Sequence, residues 1–293
     1  MDPRTMMGQL IKGYLVIEKI KEGSVGPVWR VTDSRNQVHA LKQMSERNAA
    51  DPDKVRQFRK EATLTRKLAH PNIIKVVDLL DTAPPSFLME YFESENLKCA
   101  LWNAPERVVK HEFRILRQVA DALSFVHEQG VVHKDVKPEN VLVNGQAEAR
   151  LIDFSLAQTR MDRLLQFGKR ASGTPLYMPP EQIRGEKCDR RADVYSFGVM
   201  MYELLTRRPP FLGTTPQAIL EKHLKEPPPS MRSWVPTLAQ ELDAVVLRML
   251  AKKKEDRWPD MTTVYYELAK WEKKDTVIRV RQLGPMKPLQ DRP

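Results

Sequence analysis

The sequence predicts an α+β fold in two lobes, a small strand-rich lobe followed by a mainly helical one. Three observations lead there. Between Gly13 and Phe92, short β-branched and aromatic runs alternate with turn residues around one helical stretch. Beyond Glu93, apolar residues recur at helical spacing, with Pro-rich loops between the stripes. The 293 residues, 41% hydrophobic and 29% charged, are enough for two cores of ordinary globular composition. The expected divisions are an extension over 1–12, a first lobe over 13–92, a second over 93–271, and a basic, proline-containing tail over 272–293.

Tyr14-Leu15-Val16-Ile17, Val28-Trp29-Arg30-Val31 and Val38-His39-Ala40-Leu41 read as strands, the last two joined through the turn residues Asp33-Ser34-Arg35-Asn36. Asp53 to Leu68 reads as the main helix of this lobe. Pro52 precedes it, and Val55, Phe58, Ala62 and Leu68 fall near helical spacing. His70-Pro71-Asn72 ends it, and two further strands follow near Ile74 to Leu80 and Phe87 to Phe92, making five. In the second lobe, Ile115, Val119, Leu123 and Val126 mark a helix that Gly130 closes. Val194, Phe197, Met201 and Leu204 mark another, and two more are expected over Leu238 to Leu250 and Met261 to Trp271.

Composition narrows the function. Asp2, Arg4, Lys12, Glu18 and Lys19 interrupt the opening segment, so it does not read as a secretory signal, and no apolar run is long enough to cross a bilayer. Cys99 and Cys188 lie far apart without metal-ligand spacing and read as free thiols, which places the expected location in a reducing cytoplasm. A net charge of +10 suits acidic partners. The basic residues are spread, however, and none forms a stripe interleaved with aromatics, so nucleic acid is not expected as the partner.

The chemistry is concentrated in Val132-His133-Lys134-Asp135-Val136-Lys137-Pro138-Glu139-Asn140 and, after a short turn, Asp153-Phe154-Ser155. Asp135 and Asn140, five positions apart, can stand at opposite ends of one loop, and Asp153 on the next loop completes a cup of oxygen donors for Mg²⁺ on a polyphosphate. Upstream, Lys42 ends an apolar strand, and Glu22-Gly23-Ser24-Val25-Gly26 forms a glycine-bearing turn before it. In this order the segments resemble the signature set of the protein kinase superfamily, over about residues 13 to 271. The pair Lys137 and Asn140 resembles the serine/threonine class. The runs from Ser172 to Gln182 and from Asp193 to Val199 resemble its prokaryotic branch.

The resemblance implies a bilobal fold with a five-stranded antiparallel first lobe, and an enzyme that moves the γ-phosphate of ATP to a Ser/Thr hydroxyl of a protein. Asp135 would orient the acceptor hydroxyl and take its proton, and Lys137 would neutralise the γ-phosphate. Lys42 would hold the α- and β-phosphates, fixed by an ion pair with Glu61. Asn140 and Asp153 would ligate Mg²⁺. The turn, entered through Ile20, Lys21 and Glu22, would cover the phosphates with the N–H groups of Ser24, Val25 and Gly26. Adenine would lie against Val28, Ala40 and Leu142 with Met89 behind it, its edge paired to the carbonyl of Glu90 and the N–H of Phe92. Ser172, Thr174 and Glu181 would belong to the activation and substrate segment, Glu181 pairing with Arg257, and Asp193 would anchor the catalytic loop.

Three positions depart from the family pattern. Lys21 stands for the first glycine of the turn, Lys134 for the arginine before the catalytic aspartate, and Ser155 for the glycine of Asp-Phe-Gly. Lysine cannot grip a loop phosphate with a bidentate fork as arginine can, and Arg170 stands where a phosphorylatable residue is common. Activity independent of phosphorylation at Thr159 or Ser172 is therefore expected. The competing reading is a kinase-like binding module without catalysis. Retention of Lys42, Glu61, Asp135, Asn140 and Asp153 together argues against it.

Overall fold

The computed structural model describes residues 6–165 and 173–271. They divide into two compact units, the first closing at Glu93 and the second opening at Ser94.

The first unit is an antiparallel sheet with one long helix. Its elements are β1 (Leu10–Ile11), β2 (Tyr14–Glu22), β3 (Pro27–Thr32), β4 (Val38–Gln43), α1 (Glu46–Ala49), α2 (Pro52–Lys67), β5 (Val76–Leu80) and β6 (Ser86–Glu90). The strands lie in the order β1-β2-β3-β4-β6-β5. Because side chains alternate across a sheet, each strand serves two cores. Val16, Trp29, Val31, Leu41 and Leu88 pack on one face. On the other, Phe87 and Val76 pack with Met44 and with Phe58 and Ala62 of α2. Asp51 starts α2 by accepting from the N–H groups of Asp53 and Lys54, and Pro52 occupies its first turn without loss of a bond.

One part of the expected extension is structural. Leu10 and Ile11 form a short sixth strand on the edge of β2, and Ile11 is buried in the first core. The two residues between them and β2, Lys12 and Gly13, both have positive φ, 49° and 86°. That is the backbone of a tight hairpin, whose usual sequence signal is Asn-Gly or Asp-Gly.

The second unit opens with β7 (Glu95–Asn96), α3 (Leu97–Asn103) and α4 (Pro105–Glu128). A small sheet pairs β7 with β8 (Val141–Val143) and β8 with β9 (Ala149–Leu151). The helices α5 (Arg160–Leu165), α6 (Pro180–Ile183), α7 (Arg190–Thr206), α8 (Pro216–Lys225), α9 (Gln240–Met249) and α10 (Met261–Ala269) follow. In α7 every residue from Ala192 to Thr206 is buried, so it is the axis of the unit. Helix α9 crosses it at Gly198, where a Cβ would lie 2.6 Å from the Met249 Cβ. Among the described residues no helix is long and apolar enough to cross a membrane.

Candidate active site

Sheet register determines what β4 presents. Lys42 pairs with Val28 and Phe87 on the neighbouring strands, and Ala40 with Met89. Directly opposed residues share a face, so Val28, Ala40, Lys42, Phe87 and Met89 all lie on the α2 side of the sheet. There the Lys42 ammonium meets Glu61 at 2.7 Å, with only 15% and 6% of the two side chains exposed. The same ammonium stands 5.6 Å from the centre of the Phe87 ring and 5.9 Å from that of Phe58. A cation so enclosed is held in place rather than swinging in water. Glu90 ends β6, its N–H donating to the Lys75 carbonyl and its carboxylate accepting the Lys75 N–H, each at 2.9 Å, and Phe92 is half-buried beyond it.

The turn between β2 and β3 closes through a 3.0 Å bond from the Gly23 N–H to the Gly26 carbonyl. Gly26 is required by contact: a Cβ there would lie 2.3 Å from the Gln43 carbonyl oxygen at the end of β4. Ile20, Lys21 and Glu22 lead into this turn with exposed side chains.

In the second unit, the loop between α4 and β8 is held from beneath by α7. Asp193, fully buried, accepts the N–H of His133 and the N–H of Lys134 at 2.8 Å each, and meets His127 Nε2 at 2.8 Å. Burial would push the Asp193 carboxyl up, but the His127 hydrogen bond, nearby imidazoles and the Lys134 N–H together hold it below the ordinary carboxylate value. The anchor sustains a left-handed backbone at Lys134, φ 68°. Such a conformation costs a non-glycine residue roughly 1–3 kcal/mol.

Above this anchor the polar side chains converge. Lys137 Nζ donates to Asp135 Oδ2 and to Thr174 Oγ1, each at 2.6 Å. The Thr174 hydroxyl lies 3.4 Å from Asp135 Oδ1. Asn140 donates its amide to the Asp135 carbonyl at 2.8 Å and to Oδ2 at 3.0 Å. The Asn140 carbonyl accepts from Ile152 N–H at 2.9 Å, tying in the strand end that carries Asp153. Asp153 has φ 64°, and its Oδ1 accepts the Ser155 N–H at 3.2 Å. His133 is a core residue: its ring packs 4.7 Å from that of Phe154, and its Nδ1 accepts the Asp135 N–H at 3.3 Å. Leu142, half-buried, lies on β8 next to the same loop.

Downstream, Thr159 caps α5 through Asp162, donating its hydroxyl and N–H at 2.8 Å each. Arg170 and Ser172 lie outside the described residues. Glu181 and Arg257 form a buried bidentate pair at 2.7 and 2.8 Å. Two further groups fasten the segment after Thr174, and local sequence spacing gives no sign of either. His223 on α8 reaches the Leu176 carbonyl at 3.1 Å and Tyr195 at 2.8 Å. Glu203 on α7 accepts from Tyr177 and from Lys98, each at 2.5 Å.

A family model described as protein kinase domain matches residues 14–266. A probable serine/threonine-protein kinase of Streptomyces coelicolor is 33% identical over 270 residues, 88% of this chain and 39% of the relative. The serine/threonine-protein kinase PknB of Mycolicibacterium smegmatis is 36% identical over 219 residues, covering 72% and 35%. PknB of Mycobacterium tuberculosis is 34% identical over 217 residues, with the same coverage. The chain spans well under half the length of these curated relatives.

Proposed function

The chain belongs to the protein kinase family, on its bacterial serine/threonine branch, and from that premise we propose that it transfers the γ-phosphate of ATP to a serine or threonine hydroxyl of a protein substrate. The observation that carries the proposal is the Asp135, Lys137 and Thr174 constellation, joined by two 2.6 Å bonds from one ammonium. A carboxylate beside an acceptor hydroxyl orients it and takes its proton late in transfer, the role assigned to Asp135. Lys137 can turn a third N–H toward the γ-phosphate while keeping its two protein bonds, and so offset charge where it develops. Thr174, sharing that ammonium, helps shape the site for a serine or threonine acceptor.

Asn140 and Asp153 offer an amide and a carboxylate oxygen, the hard donors that suit Mg²⁺. The Asn140 amide directs its nitrogen at Asp135, which leaves its oxygen as the ligating atom. Two protein oxygens alone bind such an ion weakly, so nucleotide phosphates would complete the set. An ion held there would supply positive charge to offset that of the phosphates.

From the first unit, Lys42 is assigned to the α- and β-phosphates, with Glu61 fixing its ammonium, and the N–H groups of Ser24, Val25 and Gly26 to the phosphates as well. Ile20, Lys21, Glu22, Val28, Ala40 and Met89 are assigned to nucleotide contact, with the Glu90 carbonyl and Phe92 N–H at the adenine edge. Leu142 is the second unit's contribution to adenine. Ser172, Thr174 and Glu181 are assigned to the segment that receives the substrate. Two free thiols, Cys99 exposed and Cys188 buried, support a cytoplasmic setting.

The test is product analysis. The full chain is incubated with γ-labelled ATP, Mg²⁺ and a basic protein rich in hydroxyl residues, and the product is hydrolysed to amino acids. Label is expected in phosphoserine and phosphothreonine. Label in phosphotyrosine alone, or none in protein, would contradict the proposal.

A further inference from the structure

Helix α1 occupies the connection between β4 and α2, and its Asn48 is bonded to the glycine turn twice. The Asn48 amide nitrogen donates to the carbonyls of Ser24 and Val25, each at 2.9 Å. The Ser45 N–H gives the Val25 carbonyl a second bond at 3.0 Å. Lys54 Nζ donates to Asn48 Oδ1 at 3.0 Å, which determines the end of the amide that carries oxygen. The backbone of Asn48 is itself held, its N–H donating to the Ser45 hydroxyl at 3.3 Å.

The consequence follows from peptide geometry. In a trans peptide plane, a carbonyl and the following N–H point in opposite directions. The carbonyls of Ser24 and Val25 are both drawn toward Asn48, so the N–H groups of Val25 and Gly26 face away from it. Neither N–H is used in the turn's closing bond, which runs from Gly23 to the Gly26 carbonyl. Two successive N–H groups turned the same way make a concavity that suits an anion.

We propose that Asn48, braced by Lys54, is a positioning residue for nucleotide phosphates: it holds the peptide planes of the glycine turn so that Val25 and Gly26 present their N–H groups outward. The inference rests on the kinase reading and adds to it a residue that does not touch the nucleotide. Without the tether, the turn samples other peptide orientations, and ordering it is charged against phosphate binding. Contacts to adenine and ribose do not depend on these planes, so the effect belongs to phosphorylated ligands alone.

Calorimetric titration of the full chain with Mg-ATP and, separately, with adenosine tests it. Asn48→Leu keeps the branched side-chain shape and removes the donor. It is expected to raise the Kd for Mg-ATP about tenfold, as the loss of two modest hydrogen bonds would, and to change that for adenosine less than about twofold. Lys54→Met, which removes only an exposed brace, is expected to raise the Mg-ATP value roughly two- to threefold, and it carries the test should Asn48→Leu fail to fold. Equal weakening of both ligands would make Asn48 a structural residue and overturn the proposal, as would unchanged Mg-ATP binding in both variants. A parent chain that binds neither ligand would instead sink the kinase reading, and this inference with it.

Discussion

Arg257 reaches Glu181 with both terminal guanidinium nitrogens, and the two side chains are 0% and 3% exposed. Its remaining N–H capacity goes to the carbonyls of Ala251, Arg191 and Lys252. A buried charge so completely surrounded is costly to strand. Removing one partner of a buried pair typically destabilises by about 3–5 kcal/mol, because the other charge is left without compensation. Glu181→Ala is therefore expected to lower unfolding free energy in urea by about that amount, and a loss below about 1 kcal/mol, the scale of an exposed pair, would show that water reaches Arg257. The pairing itself was legible from family resemblance. The three carbonyls were not, because they come from backbone whose course no local pattern reveals. The left-handed backbone at Lys134 and Asp153 was equally illegible, since glycine, the usual signal for positive φ, stands at neither.

At the scale of elements, α8 is the helix that ties the segment after Thr174 to the core. His223 is fully buried, its Nε2 donating to the Leu176 carbonyl and its Nδ1 lying 2.8 Å from the Tyr195 hydroxyl. Burial, reinforced by the Lys252 ammonium, pushes its pKa down to about 3 against a small opposing effect of the Leu176 bond. The unfolded chain takes up this proton near pH 6.5 and the folded chain does not until about pH 3. Between those limits the unfolded state binds more protons, so stability is full above pH 6.5 and falls on acidification. From pH 7.5 to 5, the native chain is expected to lose about 2 kcal/mol more than His223→Gln, measured by denaturant titration at each pH. Identical pH slopes would mean that His223 titrates freely in the fold. Helix α8 carries no apolar stripe like those of its neighbours, and no sequence pattern marks His223. The long, strongly periodic elements were the readable ones. Asp53 to Leu68 became Pro52–Lys67, and Met261 to Trp271 became Met261–Ala269. The short β1 is not legible in the sequence, because two residues carry no period and Lys12-Gly13 is not the common hairpin pair.

At the scale of the whole molecule, two units of different character each carry residues that the proposal assigns to one reaction. The strand-rich unit holds a fixed cation at Lys42 and a turn whose peptide planes are pinned. The helical unit holds a loop anchored to the buried Asp193, from which Asp135 and Lys137 meet Thr174 while Asn140 donates to Asp135. The order of these residues along the chain was readable as a set. The Asp193 tether was legible through the family resemblance; those from His223, Glu203 and Asn48 were not, because they act across separations that only the folded chain brings to contact distance. Phosphoryl transfer asks a protein for positioning and charge, and little covalent work. The most direct measurement is a single-turnover transfer from labelled ATP to a basic protein at saturating Mg²⁺, comparing the native chain with Asp135→Asn. Transfer is expected to slow by about 10² to 10⁴-fold while nucleotide binding is retained, the loss typical of a removed general base. Equal rates from the two proteins would contradict the assignment of Asp135 and, with it, the catalytic site.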